Sequence, residues 1–381
     1  MVHLPGLLGE RVRPGIGTAA DAIARRARDT VHRAGVTHHR AHDRRSLAQR
    51  NGNGQSVAVT VPARFPGPAA QRDLNRVADK HFSPTVKRWV EAYSRVGKRT
   101  PYLWKWCLHG LELTTLPCVL ASLRADVCDT KLLGAMFGVL LDDVADRKGD
   151  GNFLEALLDI VSNRAALDFS RFSLRQRCYA RVACELWNEY LSRARRYPRY
   201  SAYKDLLHFD HLQLVNAMRY SRLLNRQLSL LSLAEHDLYL PHNMQMMSFA
   251  TLDLMCSPSF KSMELGKLRD VIWRAQYMGR IGNLMTTWQR EIADRDYTSG
   301  VFARATSRGD LTLRQLAVGD RAQIEAAIHS GRHEAYFLRR WNYLRQRLWL
   351  MRRDLRSFDL GELVAGLERL LQIELGSRGL R

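Results

Sequence analysis

Hydrophobic positions recur with the period of an α-helix along most of the chain after residue 80. Ser83 and Pro84 form a typical helix start, and the segment "TVKRWVEAYSRVG" then places Val86 and Trp89 on one face before Gly97. Similar patterns predict further helices at 103–116, 119–147, 152–163, 173–196, 203–231, 243–256, 261–296, 311–329, 331–356 and 360–376. No segment has the pattern of a β-hairpin, a βαβ unit or an internal repeat. The pattern therefore predicts an all-α fold with a single helical domain at 81–381.

Residues 1–80 lack this periodicity and are rich in arginine, histidine, glycine and proline, with few acids between them. Such a composition predicts a basic, largely disordered tail in front of the helical domain. The same composition is found in organelle transit peptides, so an organelle location is the alternative to a cytoplasmic one.

The charge of the whole chain adds a constraint on its partners. With 59 Lys and Arg against 38 Asp and Glu, the formal net charge is +21, which favours a polyanion such as nucleic acid, membrane phospholipid or a phosphorylated substrate. A solvated basic surface without a specific partner explains the charge equally well. No apolar run approaches the roughly 20 residues needed to span a bilayer. The six cysteines form no CxxC pair, which favours reduced thiols and a cytoplasmic protein.

Against this basic background, the segment "GVLLDDVADRKGD" gathers acid at the end of an apolar helix. On a helix, Asp142 and Asp146 share a face, and Asp143 lies about 100° around from Asp142. Carboxylates this close repel one another unless a cation lies between them, and oxygen ligands suit Mg²⁺. The alternative interpretation is a solvated helix end. The strongly apolar run "LLGAMFGVLL" before these acids argues against it, because unpaired charge would be costly if buried.

A second polar stripe occurs in "RIGNLMTTWQREIADRD", where Asn283, Thr287 and Glu291 fall four residues apart on one helix face. An amide oxygen, a hydroxyl and a carboxylate are again suitable Mg²⁺ ligands. Such triples also occur by chance on polar helix faces. Taken together, the two acidic segments predict two walls of one cavity, where Mg²⁺ would hold a diphosphate.

These two segments resemble the paired metal-binding motifs of class I terpene synthases. "DDVAD" is similar to the DDxxD motif, and "NLMTTWQRE" is similar to the NSE motif, which follows about 140 residues later. The resemblance implies a terpene synthase-like helical bundle with three Mg²⁺ ions, for which Mn²⁺ can substitute. The implied metal ligands and catalytic residues are Asp142, Asp143, Asp146, Asn283, Thr287 and Glu291. More loosely, "DLMCSPSF" and "MGRIGNLMTTWQRE" are similar to bacterial ent-kaurene-synthase-like diterpene synthases.

The resemblance further implies that the chain is a carbon–oxygen lyase. It would ionise geranylgeranyl diphosphate, or a bicyclic copalyl-type diphosphate made by a partner class II cyclase, and cyclise the carbocation to a hydrocarbon or alcohol. The chain has no DxDD motif of its own, so class II chemistry is unsupported. Candidate residues for the diphosphate and for the wall of a dry cavity are Arg280, Arg226, Arg340, Tyr343, Phe137 and Trp288, with Phe249 among further aromatic candidates. The position of the diphosphate-sensing arginine is open; a helix break is expected near Pro241, and His242 is one substitute.

Two other functions remain possible at this stage. The first is a sesquiterpene synthase that uses farnesyl diphosphate. The second, from a different class, is a helical nucleic-acid-binding protein, which the net charge favours but for which no reading motif is present; we expect no nucleic-acid partner. A homodimer and weak membrane association through the basic tail are compatible with the terpene synthase interpretation.

Overall fold

The structure is a computed structural model that describes residues 68–145, 150–162 and 168–378. The chain divides into two units, Met1–Val61 and Pro62–Arg381, and all described residues belong to the second. The prediction of a disordered tail falls largely on residues outside the described part. No helix in the described residues is long and apolar enough to cross a membrane.

The predicted all-α fold class is confirmed, since the described residues form α-helices and short 3-10 turns without any β-strand. In chain order the α-helices are α1 (Pro68–Ala78), α2 (Pro84–Ser94), α3 (Pro101–Thr114), α4 (Ala121–Ala145), α5 (Gly151–Ser162), α6 (Leu174–Arg195), α7 (Tyr200–Arg226), α8 (Leu233–Tyr239), α9 (Met246–Met255), α10 (Leu265–Asp294), α11 (Gly300–Ser307), α12 (Leu313–Val318), α13 (Arg321–Ser330), α14 (His333–Met351) and α15 (Leu360–Gly376). The 3-10 turns are Leu228–Leu230, Leu240–Met244 and Ser262–Glu264.

Local signals in the sequence account for several helix ends. The Ser83 hydroxyl accepts a hydrogen bond from the backbone N–H of Val86, and Pro84 occupies the first helical position, as predicted. The helix predicted at 311–329 is wrong, because the chain forms two helices there. Gly319 ends α12, and the Asp320 carboxylate caps α13 by accepting from two backbone N–H groups. Helices α8 and α11 were not predicted.

Two long helices, α4 and α10, carry the two predicted motifs into the centre of the domain. Helix α4 packs against α3, α6 and α7, and α10 packs against α9, α14 and α15. Both helices are buried on most of their circumference, which is typical of central helices in a bundle. A buried ion pair between Lys131 of α4 and Asp253 of α9 joins two of these elements.

Helix α1 lies in the segment that the sequence analysis assigned to the tail. Its Val77 side chain is fully buried and packs with Trp106 of α3 and Leu370 of α15. The Asp73 carboxylate accepts two hydrogen bonds from the guanidinium of Arg369, at 2.7 and 3.2 Å. This helix therefore forms part of the packed domain.

Candidate active site

A cavity of about 240 Å³ lies between α3, α4, α9, α10 and α15. Most of its wall is apolar and includes Trp106, Leu111, Val139, Met244, Phe249 and Leu370. Polar side chains from both predicted motifs line it as well, namely Asp142 of α4 together with Arg280 and Asn283 of α10. The cavity thus combines an apolar wall with a charged group of residues from two distant segments.

Asp142 lies in the last turn of α4 and faces this cavity. Burial, the largest effect, together with the negative charge of Asp296, raises the pKa of its carboxyl to about 6. The positive charges of Arg99 and Arg280 act in the opposite direction but do not cancel these effects. Asp142 is therefore a carboxyl group whose ionised form lacks a full counter-charge.

Asp143 has a different environment from its neighbour. Its Oδ2 accepts a hydrogen bond from the Tyr93 hydroxyl at 2.7 Å, and its Oδ1 accepts from Nε of Arg99 at 3.1 Å. The Tyr93 ring lies directly against the backbone of Gly97, where a Cβ atom would be only 2.1 Å from the ring. Both carboxylate oxygens of Asp143 are thus engaged by α2 and the loop that follows it. Asp146 lies outside the described residues.

The second motif forms a chain of hydrogen bonds along one face of α10. Arg280 donates to Oδ1 of Asn283 at 2.9 Å, and the Thr287 hydroxyl lies 3.0 Å from the backbone carbonyl oxygen of Asn283. The same hydroxyl also lies 2.6 Å from Oε1 of Glu291. The i, i+4, i+8 spacing seen in the sequence therefore places these side chains in a single row.

Glu291 is 4% exposed, and its Oε2 atom has no hydrogen-bond partner among the described residues. Burial, the largest effect, together with the charge of Asp296, raises the pKa of this carboxyl to about 7. Arg280 again opposes the shift. Asp142 and Glu291 thus share two charged neighbours, Asp296 and Arg280, so the two motifs belong to one electrostatic cluster.

Asp296 was not identified from the sequence. It follows α10 directly, and its Oδ1 accepts from the side-chain amide of Asn225 at 3.1 Å and from the backbone N–H of Thr298 at 3.0 Å. The other guanidinium nitrogen of Arg280 donates to the Thr298 carbonyl oxygen at 2.9 Å. The acid-rich run "EIADRD" was the available signal, but its spacing does not continue the i, i+4 row.

Metal binding depends on whether these oxygen atoms fit a dication. Within the described ranges, no group of three or more His, Cys, Asp or Glu side chains is close enough together to hold a metal ion. The chemistry of the donors nevertheless suits Mg²⁺, since two carboxyls have raised pKa values and Oε2 of Glu291 is unpartnered. A divalent cation would supply the missing positive charge.

Asp143, Thr287 and Glu291 do not line the cavity, and neither do the candidates Arg226, Arg340 and Tyr343. Arg340 donates to Oδ2 of Asp237 at 2.6 Å and lies above the ring of Tyr277. Arg226 is exposed at the end of α7, and Tyr343 is 59% exposed.

The aromatic candidates differ in the same way. Phe137 is fully buried and packs against Trp187 with ring centroids 4.6 Å apart. Trp288 is fully buried, and its indole N–H donates to Glu334 at 2.7 Å. The aromatic side chains that line the cavity are Phe249, which the sequence analysis included, and Trp106, which it missed.

The expected helix break occurs between α8 and α9, where the turn Leu240–Met244 is followed by Gln245 in the left-handed region with φ of 55°. His242 within the break packs edge-on against Trp273 and does not line the cavity. Asn243 and Gln245 do line it. The break therefore contributes two carboxamide side chains to the cavity.

Comparisons with known proteins give the following results. No protein-family model and no curated protein matches the sequence. Among solved structures, abietadiene synthase from Abies grandis is similar over 80% of this chain and 37% of its own length, with a TM-score of 0.49 and 11% sequence identity. Linalool/nerolidol synthase from Streptomyces clavuligerus is similar over 83% of this chain and 97% of its own length, with a TM-score of 0.45 and 15% identity. Likenesses at this level assign neither a family nor an activity.

Proposed function

We propose that this chain is a Mg²⁺-dependent class I terpene synthase that ionises a prenyl diphosphate, releases diphosphate and cyclises the resulting carbocation. The observation that carries the proposal is the single cavity lined by Asp142 from the first motif, by Arg280 and Asn283 from the second, and otherwise mainly by apolar side chains. A prenyl diphosphate would match this cavity, because it has a polyanionic end and an apolar hydrocarbon chain.

The charged residues have the chemistry required at the diphosphate end. Asp142 and Glu291 are carboxyls with raised pKa values that share Asp296 as an acidic neighbour. In this proposal Asp142, Asn283, Thr287 and Glu291 hold Mg²⁺, and Asp146 completes the set. When bound, Mg²⁺ would stabilise the negative charge on the departing diphosphate. Asp143 would act through Arg99, which it orients by hydrogen bonds.

Arg280 has a positioning role in this scheme. Its guanidinium is held by Asn283 on one side and by the Thr298 carbonyl oxygen on the other, and the residue is 5% exposed. A fixed, buried cation at the polar end of the cavity would attract an anionic substrate and orient its diphosphate group. Arg340 has no such role, because its guanidinium is paired with Asp237.

The hydrocarbon chain would occupy the apolar part of the cavity, where Trp106 and Phe249 present aromatic side chains. Such walls exclude water from a carbocation, and aromatic faces can stabilise positive charge. We propose geranylgeranyl diphosphate or a copalyl-type diphosphate as substrate. The alternative substrate is farnesyl diphosphate, whose shorter hydrocarbon chain would need less of the cavity volume of about 240 Å³.

The test is incubation of the purified full-length chain with Mg²⁺ and, separately, geranylgeranyl, copalyl and farnesyl diphosphate, followed by gas chromatography and mass spectrometry. We expect a cyclic or rearranged terpene from one substrate, and its loss on removal of Mg²⁺. Asp142→Asn and Glu291→Gln should each lower turnover at least about 100-fold. Asp294→Asn is the matched control, because this acid lies on the same helix and its side chain is 60% exposed. Absence of product from every substrate, or full activity in both site variants, would reject the proposal.

A further inference from the structure

Two carboxamide side chains interrupt the apolar wall of the cavity. Asn243 comes from the 3-10 turn Leu240–Met244, and Gln245 is the next residue but one, at the start of α9. Neither belongs to the two acidic motifs. A polar group facing a cavity that must stay dry needs an explanation, because water there would react with a carbocation.

Asn243 carries a buried side-chain atom that lacks a partner, and Gln245 adopts a strained backbone conformation. Oδ1 of Asn243 is buried without a hydrogen bond from any described residue. Gln245 is 7% exposed, and its backbone adopts φ of 55°, which is unfavourable for a residue other than glycine. A buried, unpaired polar atom and a strained backbone persist only when surrounding structure or function requires them.

The Gln245 side chain reaches the helix that carries the first motif. Its Nε2 atom lies so close to Gly138 that a Cβ atom at that position would be 2.2 Å away. Gly138 precedes Asp142 by four residues, so it lies one turn below Asp142 on the same face of α4. The amide group is therefore located between the charged end of the cavity and its apolar part.

A carboxamide offers one acceptor oxygen and two donor hydrogens but no titratable group near neutral pH. Two such groups lining the same cavity can give a water molecule the two or more polar partners that a buried water requires. A Cys or His in these places could instead donate or accept protons itself. The pair thus has the chemistry of a water-binding site that does not itself take up a proton.

We propose that Asn243 and Gln245 bind one water molecule that captures the carbocation, so that the product of this chain is a terpene alcohol. This inference rests on the proposed function and specifies its product class. A new C–O bond forms between the cationic carbon and the water oxygen. One water proton then leaves to the diphosphate released in the ionisation step. No oxidation or reduction takes place.

The first experiment needs no variant. The full-length chain is incubated with Mg²⁺ and its prenyl diphosphate substrate in water enriched in ¹⁸O, and the products are analysed by mass spectrometry. We expect the main product to be an alcohol that carries ¹⁸O. A main product that is a hydrocarbon would overturn this inference and leave the proposed terpene synthase activity intact. Absence of any product would overturn both.

The second experiment asks whether these two residues hold the water. Asn243→Leu and Gln245→Leu should each lower the ratio of alcohol to hydrocarbon at least about 10-fold, and Asn243→Asp, which keeps an acceptor oxygen, should restore most of it. The ratio within one sample does not depend on how much active enzyme is present. Gln346→Leu is the control, because Gln346 is exposed on α14. The ratio of alcohol to hydrocarbon in this variant should match that of the unmodified chain. An unchanged ratio in both leucine variants would overturn the assignment.

Discussion

Replacement of Arg280 by methionine tests the electrostatic cluster directly, because it removes one buried positive charge and keeps most of the apolar side chain. Arg280 donates two hydrogen bonds of 2.9 Å, to Asn283 and to the Thr298 carbonyl oxygen. Hydrogen bonds from a charged donor contribute about 1.5–3 kcal/mol each. Their loss should lower the free energy of unfolding by about 3–6 kcal/mol, which corresponds to a fall in Tm of about 6–12 °C for a domain of this size.

The cost of this substitution should also depend on pH. The folded-state pKa values of Asp142 and Glu291, about 6 and about 7, lie above their ordinary values of 3.8 and 4.5. The raised pKa values therefore contribute stability that is fully present below about pH 4 and is lost as pH rises through about 6 to 7. Arg280 limits the loss by attracting the ionised carboxylates. The destabilisation by Arg280→Met should thus be larger at about pH 8 than at about pH 5.

The assay is thermal unfolding of metal-free protein, followed by far-UV circular dichroism at both pH values. Arg290→Met is the matched control on the same helix. Its side chain is 39% exposed and forms an i, i+4 pair with Asp294, which contributes about 0.3–0.5 kcal/mol. Its charge lowers the pKa of Glu291 less than the charge of Arg280 does. Equal Tm values for the two variants would refute the burial argument. A decrease in Tm for Arg280→Met that is the same at both pH values would refute the electrostatic argument.

Three further predictions concern stability. Lys131→Met should lower the free energy of unfolding by about 3–5 kcal/mol in denaturant titrations, because Asp253 would be left buried without its partner. Adding Asp253→Leu should recover most of this loss, and no recovery would contradict the prediction. Gly366→Ala should lower the free energy of unfolding by at least about 1–3 kcal/mol, since its Cβ would lie 1.9 Å from the Leu113 carbonyl oxygen. Gly266→Ala has open space around it and should raise the free energy of unfolding by about 0.5 kcal/mol. Equal Tm values for these two alanine variants would contradict that. Mg²⁺ should raise the Tm more at about pH 8 than at about pH 5, because protons compete with the cation for the buried carboxyls; a pH-independent shift would argue against binding at this site.

Much of the helical architecture was predictable because it depends on local interactions. The Ser83 cap with proline after it and the four-residue spacing of Asn283, Thr287 and Glu291 act within one or two helical turns. Such signals need no knowledge of the rest of the chain. At Gly319–Asp320 the periodicity was misleading, because the apolar pattern continues across two residues that end one helix and cap the next.

The candidate site was predictable only in part. The sequence shows which residue types lie on one face of a helix, so it identified Asp142 and the row from Arg280 to Glu291. It could not show that Asp143 pairs with Arg99, because that contact joins residues 44 positions apart. Nor could it show that Phe137 packs against Trp187 and does not line the cavity.

By itself, the sequence determined the all-α fold class and the two polar helical stripes, since both follow from periodicity along a single helix. Only the tertiary structure decided that Asp296 raises the pKa values of both Asp142 and Glu291, and that two carboxamides enter the cavity. The physical reason is that the direction of a side chain relative to another helix is fixed by packing across the interface. No spacing within one segment contains that information.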